Sequence, residues 1–431
     1  MRVLVLGGYG LIGSAIVRTL LADGHTVTGL GRSARTGQSL IPQARWVEAD
    51  LRHMTSPDSW TPHLQGIQAV VNASGALQDG ARDDLKAVQQ DAIIALVKAC
   101  ERAGVSRFVQ ISAAGAHARA GTTFMRTKAA ADAALRKSPL AWTILRPGLV
   151  IARQAYGGTS LLRALAGLPL VSATVHANAP IQTIGVDDVA EAVSRCLGHP
   201  DLAGTDADLV EPEAQTLAGV ISQFRNWLGT GKAALDINMP PPLAKAVATM
   251  ADLAGVLGWR SPLRSTALNV LKEGVTGDAS QTTRLLGRPA YSLADTLAQM
   301  PSTVQDRWHA RMMLVFPLIL LGLAAFWIMS GLVGLVQMDA ATNVLASSPV
   351  APIAGVLVAG GAALDIVLGL GVLIRRTARL AAMGMIALTA SYLVMGTILT
   401  PEIWSDPLGA FSKSALLVLL PLILLILLEE R

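Results

Sequence analysis

The chain has 431 residues, of which 52% are hydrophobic and 15% are charged, and its formal net charge is +5. A soluble domain is about 45–50% apolar and about 25% charged, so this composition excludes a disordered chain and argues against a purely soluble one. The positive charge includes no run of lysine or arginine, and we expect no nucleic-acid partner. The two cysteines, Cys100 and Cys196, lie in apolar helical patterns, which excludes a disulfide framework and a metal cluster.

The chain opens on a short apolar strand pattern at residues 3–6, and Met1-Arg2 leads directly into it, so we expect no signal peptide. Three glycines at three-residue spacing follow, and then an amphipathic helix pattern at residues 14–22. Glycines between a strand and a helix let the backbone turn tightly and approach a diphosphate at the helix N-terminus. The predicted diphosphate contacts are Gly7, Gly10, Leu11, Ile12 and Gly13.

The second predicted strand, residues 26–30, ends without the acidic residue that would select NAD through the ribose 2′-hydroxyl. It ends instead at Gly31-Arg32-Ser33, with Arg35 close behind. An arginine at this position can bind a 2′-phosphate through charge-assisted hydrogen bonds, although a solvated loop arginine is the alternative. The pattern therefore favours NADP(H) over NAD(H), held at its 2′-phosphate by Arg32 and Ser33.

Strand and helix patterns continue to alternate through the first third of the chain. The predicted strands are residues 46–48, 69–72, 107–112 and 142–145, and the predicted helices are residues 83–103 and 122–136. Repeated units of this kind predict an α/β fold with a doubly wound parallel sheet.

Residues 201–305 carry mainly helical patterns, and we predict a small helical lobe with helices at 216–228, 243–257 and 292–299. Its two tryptophans, Trp227 and Trp259, are expected in the lobe core.

Residues 306–431 form the third predicted region, an all-α bundle of four transmembrane helices. Only 11 of the last 120 residues are charged, and apolar stretches of about 20 residues can cross a bilayer. The predicted spans are residues 312–336, 350–374, 380–400 and 407–428. Basic residues cluster before the first span, between the second and third, and after the fourth. This asymmetry predicts an inner-membrane protein with the large domain and both termini cytoplasmic.

Asp365 lies in the middle of the second predicted span, where a carboxylate is costly and normally faces the bundle interior or a cavity. Two interpretations remain open. Asp365 is either a proton or headgroup site, or a protonated carboxyl hydrogen-bonded to a neighbouring helix.

Several motifs together resemble the extended or atypical branch of the short-chain dehydrogenase/reductase superfamily. They are the glycine turn at residues 7–13, Asp50-Leu51, Asn72-Ala73-Ser74-Gly75, Ser112, Leu145-Arg146-Pro147-Gly148, and Val186-Asp187-Asp188-Val189-Ala190. The resemblance covers residues 1–200 and implies a Rossmann fold. It also implies cofactor contacts from Asp50, Leu51, Ala73, Ser74, Gly75, Ser112, Pro147 and Gly148.

The family's catalytic Tyr-x-x-x-Lys pair is incomplete in this chain, because Phe124 stands at the tyrosine position four residues before Lys128. A phenol exchanges a proton with a carbonyl oxygen while hydride moves, and a benzene ring cannot. The resemblance leaves Lys128 as a ribose contact. Ser112, Lys128 and His117 are candidate replacement acids, although a loop or ribose-contact role is the stronger interpretation for each.

In lacking this tyrosine, the chain resembles an atypical subfamily that includes the Rossmann-type accessory subunit of respiratory complex I. The resemblance implies that NADPH is bound for structure and is not turned over. The membrane region resembles the DoxX-like four-helix family in span count, length and topology. We therefore expect a membrane-anchored NADP(H)-dependent oxidoreductase acting on a lipophilic, quinone- or isoprenoid-like substrate. The alternative is a catalytically silent NADPH-binding module of a membrane complex or homo-oligomer. An epimerase or hydroxysteroid-type dehydrogenase would need the missing tyrosine.

Overall fold

A computed structural model describes residues 1–75, 84–259, 261, 263–405, 407 and 409–429. The chain divides into two compact units. The first comprises residues 1–252 and 261–310, and the second comprises residues 253–260 and 311–431.

The first unit is built on a parallel sheet of seven strands in the order β3-β2-β1-β4-β5-β6-β11. These strands are β1 Arg2–Leu6, β2 Thr26–Gly31, β3 Arg45–Glu48, β4 Ala69–Asn72, β5 Arg107–Ile111, β6 Ala141–Pro147 and β11 Thr205–Leu209. The direction of the strand order reverses between β1 and β4, the point at which doubly wound sheets bind their ligands. The predicted α/β class with a doubly wound parallel sheet is confirmed.

The short strands of this unit pair in three two-stranded sheets beside the main one. They are β7 Leu149–Ile151, β8 Val171–Thr174, β9 Pro180–Ile181, β10 Thr183–Gly185, β12 Gln215–Thr216 and β13 Leu235–Asn238.

Helices cover both faces of the seven-stranded sheet, because its strands are apolar on both faces. The helices that lie wholly within the first unit are α1 Leu11–Ala22, α2 Ala34–Leu40, α3 Pro57–Leu64, α4 Ala92–Ala103, α5 Thr123–Arg136, α6 Gly157–Ala166, α7 Val186–Gly198, α8 Leu217–Leu228, α10 Ser265–Glu273, α11 Thr282–Leu286 and α12 Leu293–Gln299. Helix α9 Pro241–Val256 begins in the first unit and ends in the second. Val3, Val5 and Val71 pack towards α1 and α7 on one face, whereas Leu4 and Val70 pack towards α3 and α4 on the other.

The predicted elements of the sheet region are present with small shifts at their ends. The helix predicted at 14–22 begins at Leu11, because Gly10 and not Ser14 is its N-cap residue. The helix predicted at 83–103 begins with a π-helical segment, Lys86–Asp91, before α4, and Asp83 lies outside the described residues. The buried cysteines Cys100 and Cys196 are both free.

The predicted lobe helices are also present, but the two tryptophans differ in location. Trp227 packs beside Phe224 in the core formed by α6, α8 and α12, as predicted. Trp259 packs instead against Phe316 in the second unit, so its assignment to the lobe core was wrong. The prediction failed because Trp259 follows the end of α9, Pro241–Val256, where the chain passes from the first unit into the second.

Within the part of the chain that the structure describes, three helices are long and apolar enough to cross a membrane: α13 Val304–Val336, α15 Ala354–Leu373 with the 3-10 turn before it, and α16 Ala378–Leu399. Between 17% and 22% of each apolar window is buried inside the protein, so most of the apolar surface faces outward, as lipid contact requires. The remaining helices of this region are α14 Met338–Asn343, α17 Ala410–Leu416 and α18 Leu419–Leu427.

The fourth predicted span, residues 407–428, differs from the other three. Its described part forms the two short helices α17 and α18, separated by a turn at Leu417 and Val418. The apolar helical segment Phe411–Leu427 is shorter than the spanning helices, so four full spans remain a prediction. Helices α16 and α18 pack together, and Leu424 is fully buried against Ala382 and Met385.

Asp365 joins three helices of the second unit through hydrogen bonds. Its Oδ2 accepts from Ser330 Oγ of α13 at 2.9 Å, and its Oδ1 accepts from Tyr392 OH of α16 at 3.0 Å. The side chain is only 5% exposed. This geometry matches the second interpretation of Asp365, a carboxyl held by neighbouring helices.

Candidate cofactor-binding and active site

The predicted site residues converge at one edge of the sheet. Strands β1, β4, β5 and β6 are parallel, so their carboxyl ends meet at the same edge. Gly7, Ala73, Ser112 and Gly148 each follow the end of one of these strands or its continuation. The fold therefore brings together residues that are up to 141 positions apart in the sequence.

The glycine turn after β1 is packed so tightly that side chains are excluded. Gly7 has a φ of +66°, and a Cβ there would lie 2.8 Å from the Ala73 carbonyl oxygen. A Cβ on Gly13 would lie 2.1 Å from the Gly7 carbonyl oxygen. The Gly7 backbone therefore lies directly against Gly13 in the first turn of α1. The first N–H groups of α1 receive no side-chain cap. A backbone concavity at an uncapped helix N-terminus fits a diphosphate group.

A second loop, Ala73 to Gly75, lies against this turn. Asn72 shapes it, since its Oδ1 accepts the N–H of Ser74 at 3.1 Å and the hydroxyl of Ser74 at 2.5 Å. The Nδ2 of Asn72 donates to Gln110 Oε1 at 2.9 Å, which fixes the amide orientation. A Cβ on Gly75 would lie 3.7 Å from Lys128 Nζ, so this loop links the glycine turn to the lysine.

Lys128 is buried, with 7% of its surface exposed, and its Nζ donates to the Ile111 carbonyl oxygen at 3.0 Å. Burial lowers the pKa of its ammonium group to about 8, an effect that the charge of Asp132 opposes. Phe124 lies one helical turn earlier on α5, and its ring centroid is 5.7 Å from Lys128 Nζ. Thr122 caps this helix by accepting the N–H of Met125, which sets the start of the turn that carries both side chains.

Ser112 is directed at a buried carboxylate. Its hydroxyl donates to Asp132 Oδ2 at 2.6 Å, and Asp132 is fully buried on α5, one turn after Lys128. Burial raises the pKa of Asp132, whereas the Ser112 hydrogen bond and the charges of Lys128 and Arg146 act in the opposite direction. The Ser112 hydroxyl proton is therefore already donated to Asp132, which argues against Ser112 as the replacement acid.

Residues 7–200 match the NAD(P)H-binding family, and residues 324–422 match the DoxX-like family. An uncharacterised chloroplast protein of Arabidopsis thaliana is 28% identical over 223 residues, covering 47% of this chain and 73% of that protein. The photosystem II assembly factor Ycf39 of Synechocystis is 33% identical over 148 residues, covering 34% of this chain and 44% of the factor.

Two solved structures share the fold of the first unit. The triphenylmethane reductase of Citrobacter sp., complexed with NADP(H), has a TM-score of 0.54 at 18% identity and covers 69% of this chain and 99% of its own. An NADPH-dependent quinone oxidoreductase from Escherichia coli has a TM-score of 0.52 at 19% identity, with coverage of 69% and 99%. The chain is an NAD(P)H-binding Rossmann domain fused to a DoxX-like domain.

Arg32, the predicted 2′-phosphate contact, directly follows β2 and is exposed. Ser33 is engaged as the N-cap of α2, and its Oγ accepts the N–H of Thr36 at 3.2 Å. The sheet register pairs Gly31 with Glu48, and Glu48 Oε2 accepts the N–H of Ala34 at 3.2 Å. This carboxylate was not predicted, because it lies on β3 and comes beside Gly31 only through strand pairing.

The predicted adenine contact, Asp50-Leu51, has local partners. Asp50 caps the 3-10 turn Leu51–His53 and forms an ion pair with Arg52 at 2.5 Å, which lowers the pKa of its carboxyl. Leu51 is buried beside Trp60 in the core. These contacts hold the loop that the resemblance assigns to adenine, with the Asp50 carboxylate paired to Arg52 and the Leu51 side chain in the core.

The Arg-Pro segment at the end of β6 combines a predicted contact with a network of ion pairs that the sequence did not reveal. A Cβ on Gly148 would lie 2.5 Å from the Gln182 carbonyl oxygen, and Pro147 accepts the N–H of Ala114 at 3.1 Å. Arg146 forms an ion pair with Asp206 at 2.5 Å and lies 3.9 Å from Asp132. The partners of Arg146 are distant in sequence, so no local motif indicates them.

Two other features named in the sequence analysis, His117 and the motif at residues 186–190, have structural partners of their own. His117 is exposed, and its Nδ1 accepts the N–H of Arg119 at 3.2 Å. The late motif at the start of α7 is structural, because Asp188 is buried and forms an ion pair with Arg288 at 2.6 Å. Among the residues that the structure describes, no group of His, Cys, Asp and Glu is placed to hold a metal ion.

Proposed function

We propose that the protein is a membrane-bound NADP(H)-dependent oxidoreductase that reduces a lipophilic, quinone-like acceptor without the usual tyrosine. The observation that carries this proposal is the combination of a tight glycine turn with a buried lysine beside a phenylalanine. Such a site is equipped to bind the cofactor and to hold one proton. A quinone accepts hydride readily, so its reduction depends less on a phenolic acid than does that of an unactivated ketone.

The cofactor would be held along the edge of the sheet by residues that the geometry brings together. The diphosphate would lie at Gly7, Gly10, Leu11, Ile12 and Gly13, the 2′-phosphate at Arg32 and Ser33, the adenine at Asp50 and Leu51, and the nicotinamide riboside at Ala73, Ser74, Gly75, Ser112, Lys128, Pro147 and Gly148. When bound, NADPH supplies a hydride, and one hydride plus one proton converts a quinone into a quinol.

Lys128 is the proposed proton donor. With a pKa of about 8, its ammonium group is charged at neutral pH but releases its proton more easily than an exposed lysine. The Ile111 carbonyl holds the nitrogen in place, and Asp132 one turn away favours the charged form. Phe124 excludes water from one side of the ammonium without competing for its proton.

The DoxX-like domain would supply the substrate side of this function. A lipophilic acceptor partitions into the bilayer, and a membrane anchor keeps the NAD(P)H-binding domain at the same surface. The arginines between α15 and α16 favour a cytoplasmic position for that loop, with the NAD(P)H-binding domain and both termini on the same side. The proposed location is the inner membrane, which the chain would cross several times.

The second candidate function is a catalytically silent NADPH-binding module that stabilises a membrane complex or a homo-oligomer. Phe124 favours it directly, because the residue that normally donates the proton is absent. The similar photosystem II factor is, by its name, an assembly factor. In that case the cofactor would be bound and not consumed.

The discriminating experiment uses the full chain purified in detergent. NADPH binding is followed by cofactor fluorescence, and a short-chain quinone is then added in the same cuvette. We expect NADPH oxidation that saturates with quinone. Tight binding with no oxidation on quinone addition would reject the oxidoreductase and favour the silent module.

A substitution at Phe124 tests how the site operates. Phe124→Tyr restores the phenol and should add slow reduction of a simple ketone, whereas the matched control Phe124→Leu should not. Quinone reduction should continue in both variants. Loss of quinone reduction in Phe124→Leu, with NADPH binding intact, would contradict a mechanism centred on Lys128 and require the aromatic ring itself.

A further inference from the structure

The outward face of helix α9 is apolar along its whole length. Leu243, Met250 and Leu253 are 54%, 66% and 63% exposed, and their spacing of seven and three residues places them on one side of the helix. The small residues Ala244 and Ala248 form the buried side. This distribution is the reverse of that expected for a helix on the surface of a soluble domain.

Leu257 extends the apolar stripe by one further turn, and Val256 beside it is 80% exposed. Lys245 and Thr249 are the polar residues at the edge of this face. We refer to Leu243, Met250, Leu253 and Leu257 as the α9 stripe. A continuous exposed stripe of this kind marks an interaction surface.

The carboxyl end of α9 is fixed to the membrane unit. Residues 253–260 belong to that unit, and the Leu257 carbonyl accepts the N–H of Arg375 at 3.0 Å. Just beyond the helix, Trp259 Nε1 donates to the Leu373 carbonyl at 2.7 Å, and its ring packs edge-on against Phe316 at 5.6 Å. Leu373 is the last residue of the spanning helix α15.

These contacts determine the depth at which α9 ends. A spanning helix ends where hydrocarbon gives way to headgroups, and tryptophan is enriched at that level. Arg375, Arg376 and Arg379 lie directly after α15, which adds a basic cluster at the same level. Leu253 and Leu257, the carboxyl-terminal part of the α9 stripe, belong to the membrane unit and lie directly before this level in the chain.

We propose that α9 is an interfacial helix whose stripe is embedded in the headgroup layer of the same bilayer that the DoxX-like domain spans. Apolar residues on one side, a lysine at the edge and an end anchored beside basic residues are the features of helices that lie in this layer. The partner of this surface is lipid, with anionic headgroups favoured by the adjacent arginines. The inference concerns attachment and does not depend on what the active site reduces.

The test places a fluorescent probe on the stripe in the full chain. Met250→Cys is labelled with an environment-sensitive dye after reconstitution into nanodiscs that contain phosphatidylglycerol and phosphatidylcholine. Wild type taken through the same labelling reaction gives the background from the buried Cys100 and Cys196. The matched controls are Lys245→Cys, at the polar edge of the same helix, and Thr61→Cys, on an exposed position of α3.

We expect lipids with a nitroxide near the headgroup to quench the dye at position 250 several-fold more than at position 61, with position 245 between them. Aqueous iodide should give the opposite order. If iodide quenches positions 250 and 61 equally, the stripe faces water and the proposal is wrong. If neither quencher reaches position 250, protein covers the stripe, and the lipid assignment is equally overturned. Leu253→Cys, also exposed, replaces Met250→Cys if that variant does not fold.

Discussion

The two ends of the candidate site are held in shape by different means. At the diphosphate end, backbone lies against backbone, and a Cβ on Gly13 would meet the Gly7 carbonyl at 2.1 Å. At the reacting end, side chains hold one another, because Ser112 donates to the buried Asp132, which lies 3.9 Å from the half-buried Arg146. The first arrangement leaves almost no freedom for substitution, whereas the second accommodates the Phe124 ring beside Lys128.

This difference indicates that binding and chemistry can change separately in one site. The glycine turn needs the absence of side chains at fixed positions, and this chain retains it. Under the proposed function the reacting end needs a proton donor, and the structure places Lys128 beside Phe124.

The largest effect is expected at the diphosphate end from Gly13→Ala. The added methyl group cannot fit without moving the Gly7 backbone, so the turn must open away from the helix N-terminus. We expect NADPH affinity to fall about 100-fold, a loss of about 2.7 kcal/mol, in a fluorescence titration. Gly198→Ala is the control, because a Cβ there meets nothing within 4 Å. Equal affinity in the two variants would place the diphosphate elsewhere.

The second prediction concerns the reacting end and its pH dependence. If Lys128 supplies the proton, quinone reduction should fall as pH rises through about 8, because the ammonium group is then lost. Lys128→Met should lower the rate roughly 10- to 100-fold and remove this step from the pH profile. Lys137→Met, an exposed lysine after the same helix, is the control. An unchanged pH profile in Lys128→Met would assign the proton to another group.

The same lysine affects stability whether or not the protein is an enzyme. Its folded pKa of about 8 lies below its ordinary value of 10.5, so the unfolded chain binds more protons between these pH values. The contribution of Lys128 to stability should therefore rise from pH 8 to pH 10.5, and below pH 8 the full burial penalty applies. The increase should be absent in Lys128→Met when melting temperatures are compared across this range.

The contrast between the two ends also explains how much of the molecule could be predicted from the sequence. The glycine turn, the alternating strands and helices and the apolar spans are local patterns, and the structure confirms the fold that they predict. Arg146 and its partners Asp132 and Asp206 are not local, because they come from a helix and two strands that meet only in the folded sheet. Glu48 was missed for the same reason, since only the pairing of β2 with β3 places it beside Gly31.

Trp259 and the fourth apolar segment show a second limit of prediction from the sequence. Hydrophobicity identified both as buried or embedded, but it does not specify the packing partner of Trp259 or the turn at Leu417 and Val418 that interrupts the last segment. Those features depend on packing between helices. Hydropathy therefore identified the membrane region without fixing the number of helices that cross it.

The smallest effects on cofactor affinity are expected from residues near the ribose 2′-position. The sequence favours NADP(H) there, and the pairing of β2 with β3 places the Glu48 carboxylate beside Gly31. Arg32→Ala should reduce the ratio of NADPH to NADH affinity about tenfold, because it removes a charge-assisted contact with the phosphate. Glu48→Gln should raise that ratio only about two- to threefold, since an exposed carboxylate acts on the phosphate through screened repulsion. Both ratios come from paired titrations of each variant with NADPH and NADH. If Glu48→Gln instead weakens both cofactors equally, its hydrogen bond to the Ala34 N–H shapes the loop, and its charge does not select the cofactor.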